Sequence, residues 1–281
     1  CRRCNDLISV EYAFNTFTDE MALNLRNNNS ISVWKYRDLL PIHKGSKIIS
    51  LNEGGTSLHK CRRLGPHFNL DKLYVKNEGE NPTGSFKDRG MTVGVSQAVQ
   101  LGAQKVICAS TGNTSSSMSA YAAKAGLESI VIVPSRGTAL GKMTQTIAYG
   151  ANIIRLNGTF DQALDIVMNL VEIHNDLYFL NSVNPFRLEG QKTLAFEICE
   201  QLKRVPKAVV VPVGNAGNLS AIWKGFKELY ELGLVNDLPK MIGVQAEGAA
   251  PIAEAIRNNY SEIKAITEPT TKASAIRIGS P

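Results

Sequence analysis

Three loops in this chain carry residue types that do chemistry. The first is Asn81-Pro82-Thr83-Gly84-Ser85-Phe86-Lys87-Asp88-Arg89-Gly90. Pro82 and Gly84 favour a turn and Ser85 is a natural N-cap, so Lys87 is expected in the first turn of a helix. An ammonium there faces the positive end of the helix dipole. That setting lowers its pKa and favours the neutral amine that attacks a carbonyl. A helix start with Lys87 turned to solvent explains the same decapeptide equally well. The second loop, Ala109-Ser110-Thr111-Gly112-Asn113-Thr114-Ser115-Ser116-Ser117-Met118, crowds hydroxyls and an Asn between a strand and a helix. Such groups at a helix N-terminus make an anion-binding cup, and ordinary capping needs only one or two of them. The third, Val213-Gly214-Asn215-Ala216-Gly217-Asn218-Leu219, follows the most apolar strand and opens a helix. Its small residues let a phosphate approach the backbone closely. It is neither a GxGxxG nor a Walker sequence, which argues against a dinucleotide or ATP.

A lysine suited to carbonyl chemistry, a phosphate cradle and a polar cup together call for an aldehyde cofactor bearing a phosphate. Pyridoxal phosphate fits that description.

The elements that must position these loops alternate along the chain. Strands are expected at Lys72–Lys76, Lys105–Ala109, Ser129–Val133, Asn152–Leu156, Tyr178–Asn181, Ala208–Val213 and Met241–Ala246. Helices are expected at Arg89–Leu101, Ser117–Lys124, Gly141–Tyr149, Phe160–Asn175, Leu188–Leu202, Leu219–Leu232 and Pro251–Asn258. The first fifty residues read as irregular and polar. Repeated strand–loop–helix units mean an α/β fold with parallel sheets covered on both faces. Ligands then bind at the carboxyl ends of the strands, where the three loops lie.

Composition sets the class. The chain has 281 residues with 43% hydrophobic and 20% charged, as in ordinary globular proteins and unlike disordered or coiled-coil ones. No apolar run approaches the ~18 residues of a membrane span, and no signal peptide opens the chain. The net charge is +6, but the basic residues form no cluster of four or more, so a nucleic-acid face is not expected and an anionic small molecule suits the field better. Five cysteines, an odd number without secretory context, point to reduced thiols and a cytoplasmic location. Cys1 and Cys4 have a metal-like spacing, but a structural zinc needs four ligands and no second pair follows, so no metal site is expected within this chain.

These residues resemble a known family. Ser85–Gly90 is similar to the cofactor-lysine motif of fold-type II pyridoxal-phosphate enzymes, and Ser110-Thr111-Gly112-Asn113 to their substrate-carboxylate loop. Gly214-Asn215-Ala216-Gly217-Asn218 resembles the phosphate loop of the threonine synthases. Asn181–Lys192 and Ala275–Gly279 point the same way, and the resemblance runs from about Glu53-Gly54-Gly55-Thr56 to the end of the chain.

The resemblance implies two open, mostly parallel doubly wound domains: residues 1–90 with 185–281 as the larger cofactor domain, and 91–184 as a smaller mobile one. It implies conversion of O-phosphohomoserine and water to threonine and phosphate, by a chain expected to act as a homodimer. Lys87 would hold the pyridoxal phosphate and, once displaced, shuttle protons. Asn113 would bond the cofactor's 3-oxygen, and Gly214, Asn215, Ala216, Gly217 and Asn218 its phosphate. Ser110 and Thr111 would hold the substrate carboxylate, with Asn215 also near the substrate. Thr114, Asn181, Ser182 and Arg187 match positions that hold the substrate phosphate, a role suited to a guanidinium fork beside amide and hydroxyl donors. Without the resemblance, Arg187 reads as a surface ion pair with Glu189 or Glu197. The family continues several tens of residues past its Arg-Ile-Gly segment and there supplies a Ser or Thr facing the pyridine nitrogen, which this chain does not show. The rival readings are a hydroxyamino-acid dehydratase, which needs no substrate-phosphate pocket, a cysteate-synthase-like enzyme acting on phosphoserine, and a catalytically inactive binding protein.

Overall fold

The structure, a computed structural model, describes residues 7–28, 30–135 and 140–281, so Cys1 and Cys4 lie outside the described residues. In chain order the regular elements are α1 (Asp19–Asn27), β1 (Leu58–Lys60), α2 (Leu64–His67), β2 (Tyr74–Lys76), α3 (Lys87–Gln100) and β3 (Lys105–Ala109). They continue with α4 (Asn113–Ala125), β4 (Glu128–Pro134), α5 (Leu140–Ala148), β5 (Asn152–Leu156), α6 (Phe160–Ile173) and β6 (Leu177–Phe179). The last are α7 (Pro185–Leu202), β7 (Ala208–Pro212), α8 (Gly217–Glu231), β8 (Lys240–Val244) and α9 (Pro251–Arg257). The chain divides into two compact units, Cys1–Thr193 and Leu194–Pro281. No described helix is long and apolar enough to cross a membrane.

In the first unit a four-stranded parallel sheet runs in the order β5-β4-β3-β6. The chain enters at β3, moves outward through β4 and β5, and returns to the other side of β3. The strand order therefore reverses between β3 and β6, and in open parallel sheets the crevice outside such a switch point is where ligands bind. The core supports that geometry from both sides. Val106, Cys108, Val131 and Val133 pack against Met91, Val95, Met118 and Tyr121 on one face. On the other, Ile107, Ala109 and Ile132 pack against Ala163 and Val167 of α6. Alternate residues of β3 thus serve opposite faces, as the two-residue period of a strand requires. In the second unit β7 and β8 pair in parallel.

The expected elements are all present, and the differences lie at their ends. Four helices begin two or more residues earlier than the apolar periodicity indicates, because their first turns are polar or small: α3 at Lys87 instead of Arg89, α4 at Asn113 instead of Ser117, α7 at Pro185 instead of Leu188, and α8 at Gly217 instead of Leu219. For α7 the start is chemically explicit. The Asn184 side chain accepts from the Arg187 N–H at 3.3 Å, and Pro185 occupies the first helical position, where its missing N–H costs nothing. The α4 helix ends as expected at Gly126, whose φ of 75° suits a residue without Cβ. Two features depart from the sequence reading. The first fifty residues hold the helix α1 and a 3-10 segment Val33–Leu39, with Val33, Tyr36 and Leu39 in the core. β2 is shorter than expected and pairs antiparallel with β1, a ribbon too short to show periodicity.

Helices α3 and α7 meet at unusually short range. A Cβ on Gly190 would stand 1.8 Å from the carbonyl oxygen of Arg89, a backbone atom that cannot step aside. Gly190→Ala is therefore expected to lower stability by about 3 kcal/mol or more, at the upper end of overpacking costs, read as a shift in the urea midpoint. An unshifted midpoint would mean that the two helices separate at little cost.

Candidate active site

Lys87 is the first residue of α3. The expected N-cap is displaced by one residue: Phe86 occupies that position, and the Ser85 hydroxyl accepts instead from the Lys87 N–H at 3.4 Å. The Lys87 side chain is half-buried, with Nζ 4.2 Å from the centroid of the Phe86 ring. Its pKa is held down at about 7, by burial first and by the nearby Arg187 guanidinium second. Sequence reasoning reached the right direction from the helix dipole. In the structure, desolvation and a neighbouring cation are the causes.

The residues on either side of Lys87 fix its turn. Asp88 is fully buried and accepts from the Thr83 N–H at 2.7 Å, the Thr83 hydroxyl at 2.6 Å and the Ser117 hydroxyl. Burial raises its pKa above the usual carboxylate range, against those hydrogen bonds. Arg89, also fully buried, makes a two-pronged pair with Glu78, Nε to Oε2 at 2.6 Å and Nη2 to Oε1 at 2.8 Å. The loop that presents the amine is thereby clamped to α4 and to the segment before it. None of these clamps was singled out from sequence. The available signal was a charged pair directly after Lys87 at positions that enter a helix whose other residues are all uncharged.

The polar second loop divides into two groups. Ser115, Ser116, Ser117 and Ser119 are buried and tie down the helix start. Ser115 Oγ donates to the Gly112 carbonyl at 2.7 Å and Ser119 Oγ to the Ser115 carbonyl at 2.7 Å. Much of the hydroxyl crowding is therefore structural. Ser110, Thr111 and Thr114 are only half-buried and Asn113 is exposed, so the candidate ligand-binding residues are the open ones.

The carboxyl ends of β3 and β6 are joined by Asn181. Its Oδ1 accepts from the Ala109 N–H at 2.9 Å and its Nδ2 donates to the Ala109 carbonyl at 2.8 Å. That clasp holds the Ser110–Thr114 and Asn181–Ser182 loops together at the switch point and leaves Asn181 one further N–H. Ser182 beside it is exposed.

Arg187 follows in the first turn of α7. It is 1% exposed, and neither Nε nor Nη1 has a hydrogen-bond partner. The surface ion pair with Glu189 or Glu197 does not form: Glu189 is itself buried and bonds Lys192 and the Tyr12 hydroxyl, each at 2.6 Å. Burial lowers the Arg187 pKa to about 10, opposed by Cys108, and burial raises the Cys108 thiol to about 12. A buried guanidinium without its hydrogen bonds is costly, and such a group calls for an anion. Arg187 acts electrostatically on Lys87 and Cys108 alike, so its charge is felt at the amine.

In the second unit, residues 213–216 join β7 to α8, and Gly217 and Asn218 open the helix. Ala216 caps α8 with φ 57°, a left-handed conformation that costs a residue with a Cβ roughly 1–2 kcal/mol. Oδ1 of Asn218 is buried without a partner. A strained turn of small residues leading into a helix N-terminus fits a phosphate-bearing group through its backbone N–H groups; Oδ1 of Asn218, an acceptor, adds nothing to that fit. Gly214, Ala216 and Gly217 are half-buried and Asn215 is exposed.

Residues 49–281 match the profile of the family described as "Pyridoxal-phosphate dependent enzyme". The chain is 53% identical over 279 residues to threonine synthase of Methanocaldococcus jannaschii, covering 99% of this chain and 69% of that one. It is 49% identical over 282 residues to threonine synthase of Methanosarcina acetivorans, covering 100% of this chain and 68% of the other. It thus spans about two thirds of the length of these relatives. Among solved structures, threonine deaminase isoform 2 from Solanum lycopersicum superposes with a TM-score of 0.68 at 22% identity, over 98% of this chain and 72% of that one. Maize serine racemase superposes with a TM-score of 0.69 at 20% identity, over 79% and 65%. At such identities these two show the fold alone, the fold-type II α/β architecture.

Proposed function

The chain belongs to the threonine synthase family of pyridoxal-phosphate dependent enzymes, and from that premise we propose that it converts O-phospho-L-homoserine and water to L-threonine and phosphate. The observation that carries the substrate assignment is Arg187, a buried guanidinium with two unpartnered nitrogens whose charge is felt at the reactive amine. A dehydratase acting on unphosphorylated serine or threonine brings no phosphate for such a cation to hold.

Pyridoxal phosphate, when bound, supplies an electron sink for negative charge on the carbons next to the substrate's amino group. Lys87 would hold it, with Asn113 at its 3-oxygen and Gly214, Asn215, Ala216, Gly217 and Asn218 at its phosphate. Once displaced, the Lys87 amine is poised near neutrality to take and return protons at the substrate carbons. Arg187 with Thr114, Asn181 and Ser182 would hold the substrate phosphate before and as it leaves. Ser110 and Thr111 would orient the carboxylate, with Asn215 near the substrate. We further propose a homodimer in the cytoplasm. We also propose the division into a larger domain, 1–90 with 185–281, and a smaller mobile one, 91–184. That division is supported by the four-stranded sheet, whose strands all fall within 91–184. A substrate-bound structure with the Asn113 loop unmoved relative to Lys87 would count against the mobility.

The low pKa of Lys87 has a kinetic consequence. Cofactor capture by the apoprotein requires the neutral amine, so its rate should climb about tenfold per pH unit below 7 and level off above roughly pH 8. In Arg187→Ala the midpoint should move to higher pH, because a cation that disfavours the ammonium is gone. A midpoint near the ordinary lysine value in the parent protein would contradict the assignment. The function itself is tested by turnover of O-phosphohomoserine, O-phosphoserine and threonine. Phosphate release with threonine formed from the first alone is the expected result, and ammonia from threonine would favour the dehydratase.

A further inference from the structure

The tip of Arg187 has no hydrogen bond through Nε or Nη1 to fix its direction, so its aim depends on how its aliphatic stem is packed. That packing is set by glycines of α3. A Cβ on Gly90 would stand 2.8 Å from the Arg187 carbonyl oxygen and 3.2 Å from Arg187 Cβ, which brings the two backbones together. One turn further along, a Cβ on Gly94 would meet Leu180 Cδ2 at 2.7 Å and Arg187 Cγ at 3.3 Å. The Arg187 stem therefore runs across the bare backbone of Gly94. Two glycines four residues apart weaken a helix relative to alanine, a cost that close approach explains and propensity does not.

Resting on the assignment of Arg187 to the substrate phosphate, we propose that Gly94 is a positioning residue for that phosphate: its empty Cβ position sets where the guanidinium stands relative to the Lys87 amine. A methyl group there pushes Cγ of Arg187 by a few tenths of an ångström, and the rest of the side chain carries the shift to its tip. A misplacement of about 1 Å at a binding group costs up to about a hundredfold, so a fraction of that is expected to cost about five- to tenfold.

The test combines Gly94→Ala with Leu180→Val, which removes the nearer conflict at almost constant volume and leaves the Arg187 contact as the one new feature. In this double variant KM for O-phosphohomoserine and the dissociation constant for inorganic phosphate, measured by calorimetry on the holoenzyme, should both rise about five- to tenfold. The visible band of the lysine-bound cofactor should match the parent, as should every reading for Leu180→Val alone. Gly94→Ala with Leu180→Ala, which gives more room, carries the same expectation if the first pair does not accumulate. A folded double variant with parental KM and phosphate affinity overturns the positioning role. Arg187→Ala is the reference: if it too leaves both constants unchanged, the Arg187 assignment falls, and if it weakens both while the double variant does not, only the role of Gly94 falls.

Discussion

Lys87→Ala should lower turnover of O-phosphohomoserine by roughly a thousandfold or more, since it removes both the covalent hold on the cofactor and the group that moves protons. The magnitude follows from general acid–base catalysis alone, typically about 10²–10⁴. The fold should survive. Asp88 and Arg89 clamp the loop through Thr83, Ser117 and Glu78, and none of those bonds involves the Lys87 amine. Pyridoxal phosphate should still bind, without the absorption of the lysine-bound form, and a small primary amine should restore a fraction of the rate. Turnover within tenfold of the parent would show that another group does the work.

Arg187→Ala should lower kcat/KM for O-phosphohomoserine about ten- to a hundredfold or more. A charge-assisted contact to a phosphate is worth roughly 1.5–3 kcal/mol, and a guanidinium can make two. The structure sharpens this expectation, because the parent side chain is buried with two idle nitrogens and no protein partner competes for them. Arg187→Lys should rescue only in part, since a point charge cannot reproduce the planar fork. Slow reactions of unphosphorylated serine or threonine should barely change. Loss of pyridoxal phosphate on Arg187→Ala, or unchanged phosphohomoserine turnover, would make Arg187 structural and reopen the dehydratase reading.

Much of this site was legible in the sequence, and the reasons are local. Lys87 could be found because Pro82, Gly84 and Ser85 announce a turn into a helix. The loops after β3 and β7 could be found because β-branched runs give way abruptly to small and polar residues. Helix starts were misplaced wherever the first turn is polar, as at Asn113, since apolar periodicity begins only where burial does. The serines of α4 could not be sorted in the sequence, because composition does not tell a hydroxyl that bonds its own helix from one that faces a crevice. The burial of Arg187 was illegible for a different reason. It depends on Gly90, Gly94 and Gly190 closing two helices that lie about a hundred residues apart in sequence, a non-local fact without a local signature. The clasp of Asn181 on Ala109 is likewise a product of the β3–β6 reversal.

The central claim is that Lys87 is the amine that carries the chemistry, and borohydride reduction of the holoenzyme followed by peptide mapping tests it most directly. Reduction traps whichever lysine holds pyridoxal phosphate. The account predicts a single labelled peptide spanning Ser85–Arg89 with the modification on Lys87. Label on Lys76, Lys192 or any other lysine would contradict it.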